Sequence, residues 1–255
     1  MGKYGLSFDL PGFQNALKNL CFPVWIEKGR SKPSIAATSF LCSYAGESFL
    51  ITAGHTFGEA SKHHERLFVV DSMKRKFYLE DKSVYFEEED IGVTRLEGEE
   101  KAAFLSGGSA IDITRRFSFP FNGEMLIFFF GFPASKYKSA NESLALIYVL
   151  TRQGKEDGKG GFSGVIGIKN IDTVTHGEKR KAQLPQLQGM SGGPAFYYPS
   201  SGGVQAPFFA GVGVRWHKNE RQNEATLQGS GIGLVIPCLN ETLRHATARR
   251  SGSGR

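Results

Sequence analysis

Gln188-Gly189-Met190-Ser191-Gly192-Gly193-Pro194 is the stretch on which the reading of this chain turns. A serine set among three glycines and followed by proline is a backbone feature before it is a side-chain one. Glycine on both sides permits tight turns and a close approach of a ligand to the main chain. It can also leave the N–H groups of Gly189 and Ser191 aimed at one point. Two such donors would stabilise a developing oxyanion by about 3 to 4 kcal/mol each. The plain alternative is a glycine-rich hairpin. Gly192, Gly193 and Pro194 do not open a helix, so the serine is expected to lead into a strand at 193–197.

Outward from that strand, the chain reads as short β-type runs punctuated by glycine. The first set is 22–26, 36–41, 48–52, 67–70, 76–79 and 91–96. After the Ser106-Gly107-Gly108-Ser109 break come 124–130, 144–150, 164–168, 193–197, 208–214 and 231–236. Many short strands at this spacing indicate barrels or a sandwich rather than βαβ units. Helical signals sit at the edges: 13–20, one or two turns within 56–66, and 237–249 with Pro237 near its first turn. Residues 151–162 and 173–188 read as loops. The expected organisation is an N-terminal segment 1–21, β units at 22–118 and 119–238, and a helix with a basic tail at 239–255.

The 255 residues are 40% hydrophobic and 22% charged, which excludes a disordered chain and a disulfide-stapled miniprotein. No apolar run reaches the roughly 18 residues of a membrane span, and Met1-Gly2-Lys3-Tyr4-Gly5 does not resemble a secretory leader. Position 6 is Leu where a myristoylation start has Ser or Thr. Cys21, Cys42 and Cys238 are odd in number and widely spaced, with no CxxC pair and no zinc spacing. Buried reduced thiols in a soluble, cytoplasmic protein are expected, with no metal, cofactor or membrane partner. Of the net charge of +6, residues 241–255 carry +3. The remaining basic clusters, Lys74-Arg75-Lys76 and Lys179-Arg180-Lys181, read as solvated turns, so no nucleic-acid partner is expected.

A serine nucleophile needs a base, and the base needs an orienting acid. Of six histidines, His63 and His64 lie in a charged helical stretch, His176 and His217 in polar loops and His245 on the terminal helix. His55 differs: it ends Phe49-Leu50-Ile51-Thr52-Ala53-Gly54-His55, an apolar strand running into small residues that would let an imidazole sit against the serine. For the acid, Asp90 stands where the run Glu87-Glu88-Glu89-Asp90 turns into the apolar Ile91-Gly92-Val93, and Asp71 is the reserve.

Thr52-Ala53-Gly54-His55, Asp90-Ile91-Gly92-Val93 and Gly189-Met190-Ser191-Gly192-Gly193-Pro194 together resemble the three motifs of the chymotrypsin-like (trypsin-fold) serine peptidases, in that family's order. Leu126-Ile-Phe-Phe-Phe-Gly131-Phe-Pro133 resembles the opening strand of its second barrel. Gly211-Val-Gly-Val214 and Gly231-Ile-Gly-Leu-Val-Ile-Pro237 resemble pocket-wall strands of the bacterial high-temperature-requirement (HtrA/Deg) branch. The resemblance spans about residues 22 to 238. It implies an all-β fold of two six-stranded antiparallel barrels with short terminal helices. It also implies a serine endopeptidase with His55 as base, Asp90 as orienting acid, Ser191 as nucleophile and the Gly189 and Ser191 N–H groups as oxyanion hole. The partner would be a protein or peptide substrate.

Three departures matter. No cysteine follows His55 to bracket its loop, which suits a reducing compartment. Met190 stands where zymogen-activated members carry an aspartate, so control by that salt bridge is not expected. The chain ends about 18 residues after Pro237, too few for the PDZ domain of the HtrA branch. Primary specificity would involve Pro185, Gln188 and the wall Gly211, Val212, Gly213 and Val214, narrowed or charged by Arg215 and Trp216. With no carboxylate at 185, a small-to-medium apolar residue before the cut is expected. Two rivals remain: an inactive trypsin-fold scaffold, and an esterase of the α/β-hydrolase type, whose G-x-S-x-G elbow must be followed by a helix. A latent protease, switched on when a regulatory partner or substrate orders 173–188, is a variant of the main reading.

Overall fold

The computed structural model describes residues 10–29, 31–80, 82–106, 110–114, 125–136, 146–168, 171–175, 178–182, 186–199 and 207–252. Its architecture is all-β. Helix α1 (Leu10–Lys18) leads into β1 (Cys21–Glu27), β2 (Ser34–Tyr44) and β3 (Glu47–Ala53), followed by α2 (His55–Lys62). Next come β4 (Arg66–Val70), β5 (Lys76–Tyr78), β6 (Ser83–Phe86), β7 (Ile91–Leu96), α3 (Gly98–Leu105) and β8 (Ile111–Asp112). These strands form one sheet in the order β5-β4-β1-β2-β3-β7-β6, with β8 added parallel to β2. The first unit is therefore an open path of seven strands plus one, not the closed ring of six that the resemblance implied.

The second unit does close as a barrel of six strands, in the order β10-β11-β16-β15-β14-β9. Its strands are β9 (Met125–Gly131), β10 (Ile147–Glu156), β11 (Gly161–Gly167), β14 (Pro194–Pro199), β15 (Phe208–Asn219) and β16 (Glu224–Gly231). A separate hairpin pairs β12 (Ile171–Thr175) with β13 (Glu178–Ala182), so part of the expected loop 173–188 is a two-stranded ribbon. The expected loop 151–162 is likewise largely strand. Asp157 builds the turn there, its Oδ1 accepting from the N–H groups of Lys159 and Gly161.

The apolar patterns follow from three cores. Leu41, Leu50, Leu67 and Val69 pack inside the first sheet, and Ile127, Phe129, Ala195 and Tyr197 inside the barrel. The alternate positions, Phe40, Phe49, Ile51, Phe128, Phe130 and Phe196, meet in a third core between the two units. Strands buried on both faces lose the polar alternation of a half-exposed sheet, which is why 125–131 reads as an unbroken apolar run. The third core is sealed at one side by α1, where Phe13 meets Phe196 and Phe130 edge-on. At another side α4 (Ile232–Gly252) closes it. Val235, Cys238 and Leu239, and buried Thr242 beyond them, recur at helical spacing along α4. The expected strand 231–236 is thus overturned: after Gly231 the chain turns helical, and Pro237 lies inside the helix rather than near its start. A short apolar run alone does not separate strand from buried helix.

Candidate active site

His55 is the first residue of α2, directly beyond the end of β3, and Asp90 closes the tight β6–β7 connection. Asp90 adopts φ +55, a left-handed conformation that aspartate tolerates better than most residues. That turn aims its carboxylate back at β3. Asp90 Oδ1 accepts from the His55 backbone N–H at 2.7 Å, and its two oxygens lie 3.0 and 3.1 Å from His55 Nδ1. Gly54 N–H donates to the Asp90 carbonyl at 2.9 Å, so backbone and side chain hold the two segments together.

The Asp90 side chain is only 9% exposed. Burial pushes its carboxyl up, but the hydrogen bonds from the His55 ring and backbone and the charges of His55 and Arg215 outweigh burial. The group is held below the usual carboxylate range. An ionised carboxylate only accepts hydrogen bonds, so Nδ1 carries a proton toward Asp90.

Ser191 lies against the same stretch of β3. Its carbonyl accepts from Thr38 N–H at 2.8 Å. A Cβ added at the neighbouring Gly192 would lie 2.4 Å from Thr52 Oγ1 and 2.5 Å from the Ala53 nitrogen, two residues before His55. Only glycine fits there, and its φ of +87 also demands it. Gly189, at φ +91, is the third residue of a turn closed by Met190 N–H to the Leu187 carbonyl at 3.0 Å. Among the described residues, neither the Gly189 nor the Ser191 N–H finds an acceptor. The Ser191 hydroxyl is not hydrogen-bonded to the His55 ring.

Beside Ser191 is a small pocket of about 20 Å³, lined by Phe129, Leu187, Met190, Gly213, Val214 and Trp216 among others. Of the expected specificity residues, Gly213 and Val214 form its wall and Gln188 is exposed nearby. Val212 is fully buried and, like Gly211, does not line the pocket; they pair with Ser230 and Gly231. Pro185 lies outside the described residues. Arg215, which also lines the pocket, reaches Asp90 instead, its Nε donating to Oδ2 at 3.1 Å. The reserve acid Asp71 is occupied in its own turn, accepting from Met73 and Arg75. Among the described residues no group of three or more His, Cys, Asp or Glu could hold a metal ion, and no helix is long and apolar enough to cross a membrane. Strand β14, not a helix, follows Ser191, so the α/β-hydrolase reading is excluded.

No family model matches the chain, and no curated protein matches it either. Solved structures do. The protease Anisep from Arthrobacter nicotinovorans covers 88% of this chain over 95% of its own, at 14% identity and a TM-score of 0.52. A chain from work on coupled folding and binding of the intrinsically disordered Sesbania mosaic virus VPg protein covers 83% of this chain over 85% of its own, at 12% identity and a TM-score of 0.45. At such identities the likeness to Anisep shows a shared fold: the chain has the two-unit β architecture of trypsin-like proteins.

Proposed function

We propose that the chain is a serine endopeptidase that cleaves protein or peptide substrates through an acyl-enzyme. The observation that carries this reading is the pairing of His55 Nδ1 with both oxygens of buried Asp90, beside a serine loop whose Gly189 and Ser191 N–H groups find no acceptor among the described residues. Ser191 Oγ attacks the scissile carbonyl while His55 Nε2 takes its proton. Asp90 holds the ring in the required tautomer and stabilises the imidazolium. The carbonyl oxygen, now an oxyanion, is received by the Gly189 and Ser191 N–H groups. His55 then returns the proton to the leaving amine, and water releases the acyl group by the same steps in reverse. No cofactor takes part. The small apolar pocket favours a small uncharged residue before the cut, and the buried free thiols support a reducing, cytoplasmic setting.

The test is labelling by a fluorophosphonate probe, with Ser191→Ala and His55→Ala as comparisons. The expected result is one adduct on wild type, mapped to Ser191, and its loss in both variants. A well-folded wild type that takes no label, alone and with candidate substrates present, would replace this reading with an inactive scaffold.

A further inference from the structure

Within the proposed peptidase reading, one buried side chain outside the three motifs stands at the centre of the site. Thr38, on β2, is fully buried. The β2–β3 ladder runs from Tyr44 paired with Glu47 to Phe40 paired with Ile51. Two residues further on, at Thr38, the backbone turns to the serine loop instead. Thr38 N–H donates to the Ser191 carbonyl at 2.8 Å, and its own carbonyl accepts from Thr52 Oγ1 at 2.7 Å. Its hydroxyl donates to the Gly189 carbonyl at 2.8 Å and accepts from Phe132 N–H at 2.9 Å.

Four successive peptide units define the serine loop, and each is pinned. The Gln188 carbonyl accepts from Ala134 N–H, and the Met190 carbonyl from Gly193 N–H. In a trans peptide the N–H opposes the C=O, so these two bonds turn the Gly189 and Ser191 N–H groups the other way. The two remaining carbonyls, of Gly189 and Ser191, are both held by Thr38. The other bonds to the loop come from within it or from the second unit: Ala134, Gly193 and Gly213. Among the described residues, Thr38 alone bonds the loop from the sheet that carries His55 and Asp90.

We propose that Thr38 is the positioning residue of this site: its hydroxyl and amide set the Gly189–Ser191 peptides so that their N–H groups converge, and register that loop to the His55–Asp90 pair. Thr38→Val removes the hydroxyl and leaves the Gly189 carbonyl and Phe132 N–H without their partner. Rotation of the 189–190 peptide would relieve this, moving the flanking donors. A displacement on the order of 1 Å costs about 10²-fold in rate.

The experiment measures the second-order rate of fluorophosphonate labelling, with kcat and KM for p-nitrophenyl acetate, on wild type, Thr38→Val and Thr38→Ser. Labelling and kcat are expected to fall about 10²-fold in Thr38→Val with KM little changed, and Thr38→Ser to restore most of the loss. Thermal unfolding confirms that the compared proteins are folded. Should Thr38→Val not fold, Thr38→Cys takes its place, with a weaker donor and an intermediate loss expected. A folded variant that labels and turns over like wild type, however much its Tm is lowered, overturns the proposal for Thr38 alone. A wild type that takes no label overturns the peptidase reading, and this proposal with it.

Discussion

Arg215 Nε stands 3.1 Å from Asp90 Oδ2, so the second unit reaches across to the same carboxylate that holds His55. The Arg215 side chain is 59% exposed, and it bonds Oδ2, whereas both the His55 backbone N–H and ring also reach Oδ1. Arg215→Ala is therefore expected to lower activity by less than about tenfold. Asp90→Asn, which removes the acceptor that fixes the ring tautomer, is expected to lower kcat by about 10⁴-fold. Fluorophosphonate labelling rates at neutral pH separate the two outcomes; equal losses would place Arg215 inside the machinery rather than beside it.

The same pair predicts a pH dependence of stability. Because Asp90 is held below the usual carboxylate range in the folded protein, its contribution to stability is fully present above the ordinary pKa of about 3.9. It is lost as pH falls through the lower folded value. Removing Arg215 takes away one of the charges that depress that value, so the acid-unfolding midpoint of Arg215→Ala should move to higher pH. An unchanged midpoint, read by far-UV circular dichroism, would show that the ion pair adds nothing to the carboxylate's environment.

Gly192 and Gly46 share a left-handed backbone, with φ of +87 and +81, but not a neighbourhood. A Cβ at Gly46 meets nothing within 4 Å, whereas one at Gly192 lies 2.3 Å from the Thr38 carbonyl oxygen. Gly46→Ala should cost about 1 kcal/mol, the conformational penalty alone. Gly192→Ala adds a backbone clash at the wedge between β2 and β3 and should cost on the order of 4 kcal/mol or more. Urea unfolding measures both, and similar values would mean that the loop can withdraw from the sheet at little cost.

His55, Asp90 and Ser191 are legible in the sequence because each sits in a short run whose composition reflects its immediate surroundings. Small residues approach His55, an apolar strand follows Asp90, and glycines surround Ser191. Thr38 has no such mark. It is one more β-branched residue in a strand, and its partner Gly189 lies 151 positions away. The contact of Arg215 with Asp90, 125 positions apart, is hidden for the same reason. Helix α3 leaves no mark in the sequence because only Ala103 and Phe104 of its eight residues are buried, too few to set a helical period. The two units are distinguishable in sequence by their strand sets, but closure of a sheet depends on which edges pair, and that is not encoded in any local run.

Cys21, Cys42 and Cys238 are free and buried. Burial pushes the Cys21 and Cys42 thiols well above their usual range. Cys238 is pushed up to about 12 by burial and by the charges of Glu89 and Glu241. The thiolate is the reactive form, so iodoacetamide at pH 8 should leave the native protein unmodified and fully active, and should modify all three thiols in guanidinium. Loss of activity on native alkylation would point to a cysteine nucleophile and away from Ser191.

The pocket beside Ser191 makes the sharpest statement about substrate. It is small, about 20 Å³, and partly open to solvent. Phe129, Leu187 and Met190 belong to the barrel core, with Trp216 packed against it. The first three are buried under the neighbouring strands, while Trp216 is only partly buried. Wild type should therefore cleave after glycine, alanine or serine, and poorly after phenylalanine or lysine. Trp216→Ala opens the wall without touching Ser191, His55 or Asp90, and should raise kcat/KM for phenylalanine relative to alanine at that position by tenfold or more. Cleavage of a mixed peptide library, read by mass spectrometry, tests both statements. Efficient wild-type cleavage after phenylalanine would show that Trp216 moves aside when substrate binds. An unaltered preference in Trp216→Ala would show that the residue before the cut is read elsewhere.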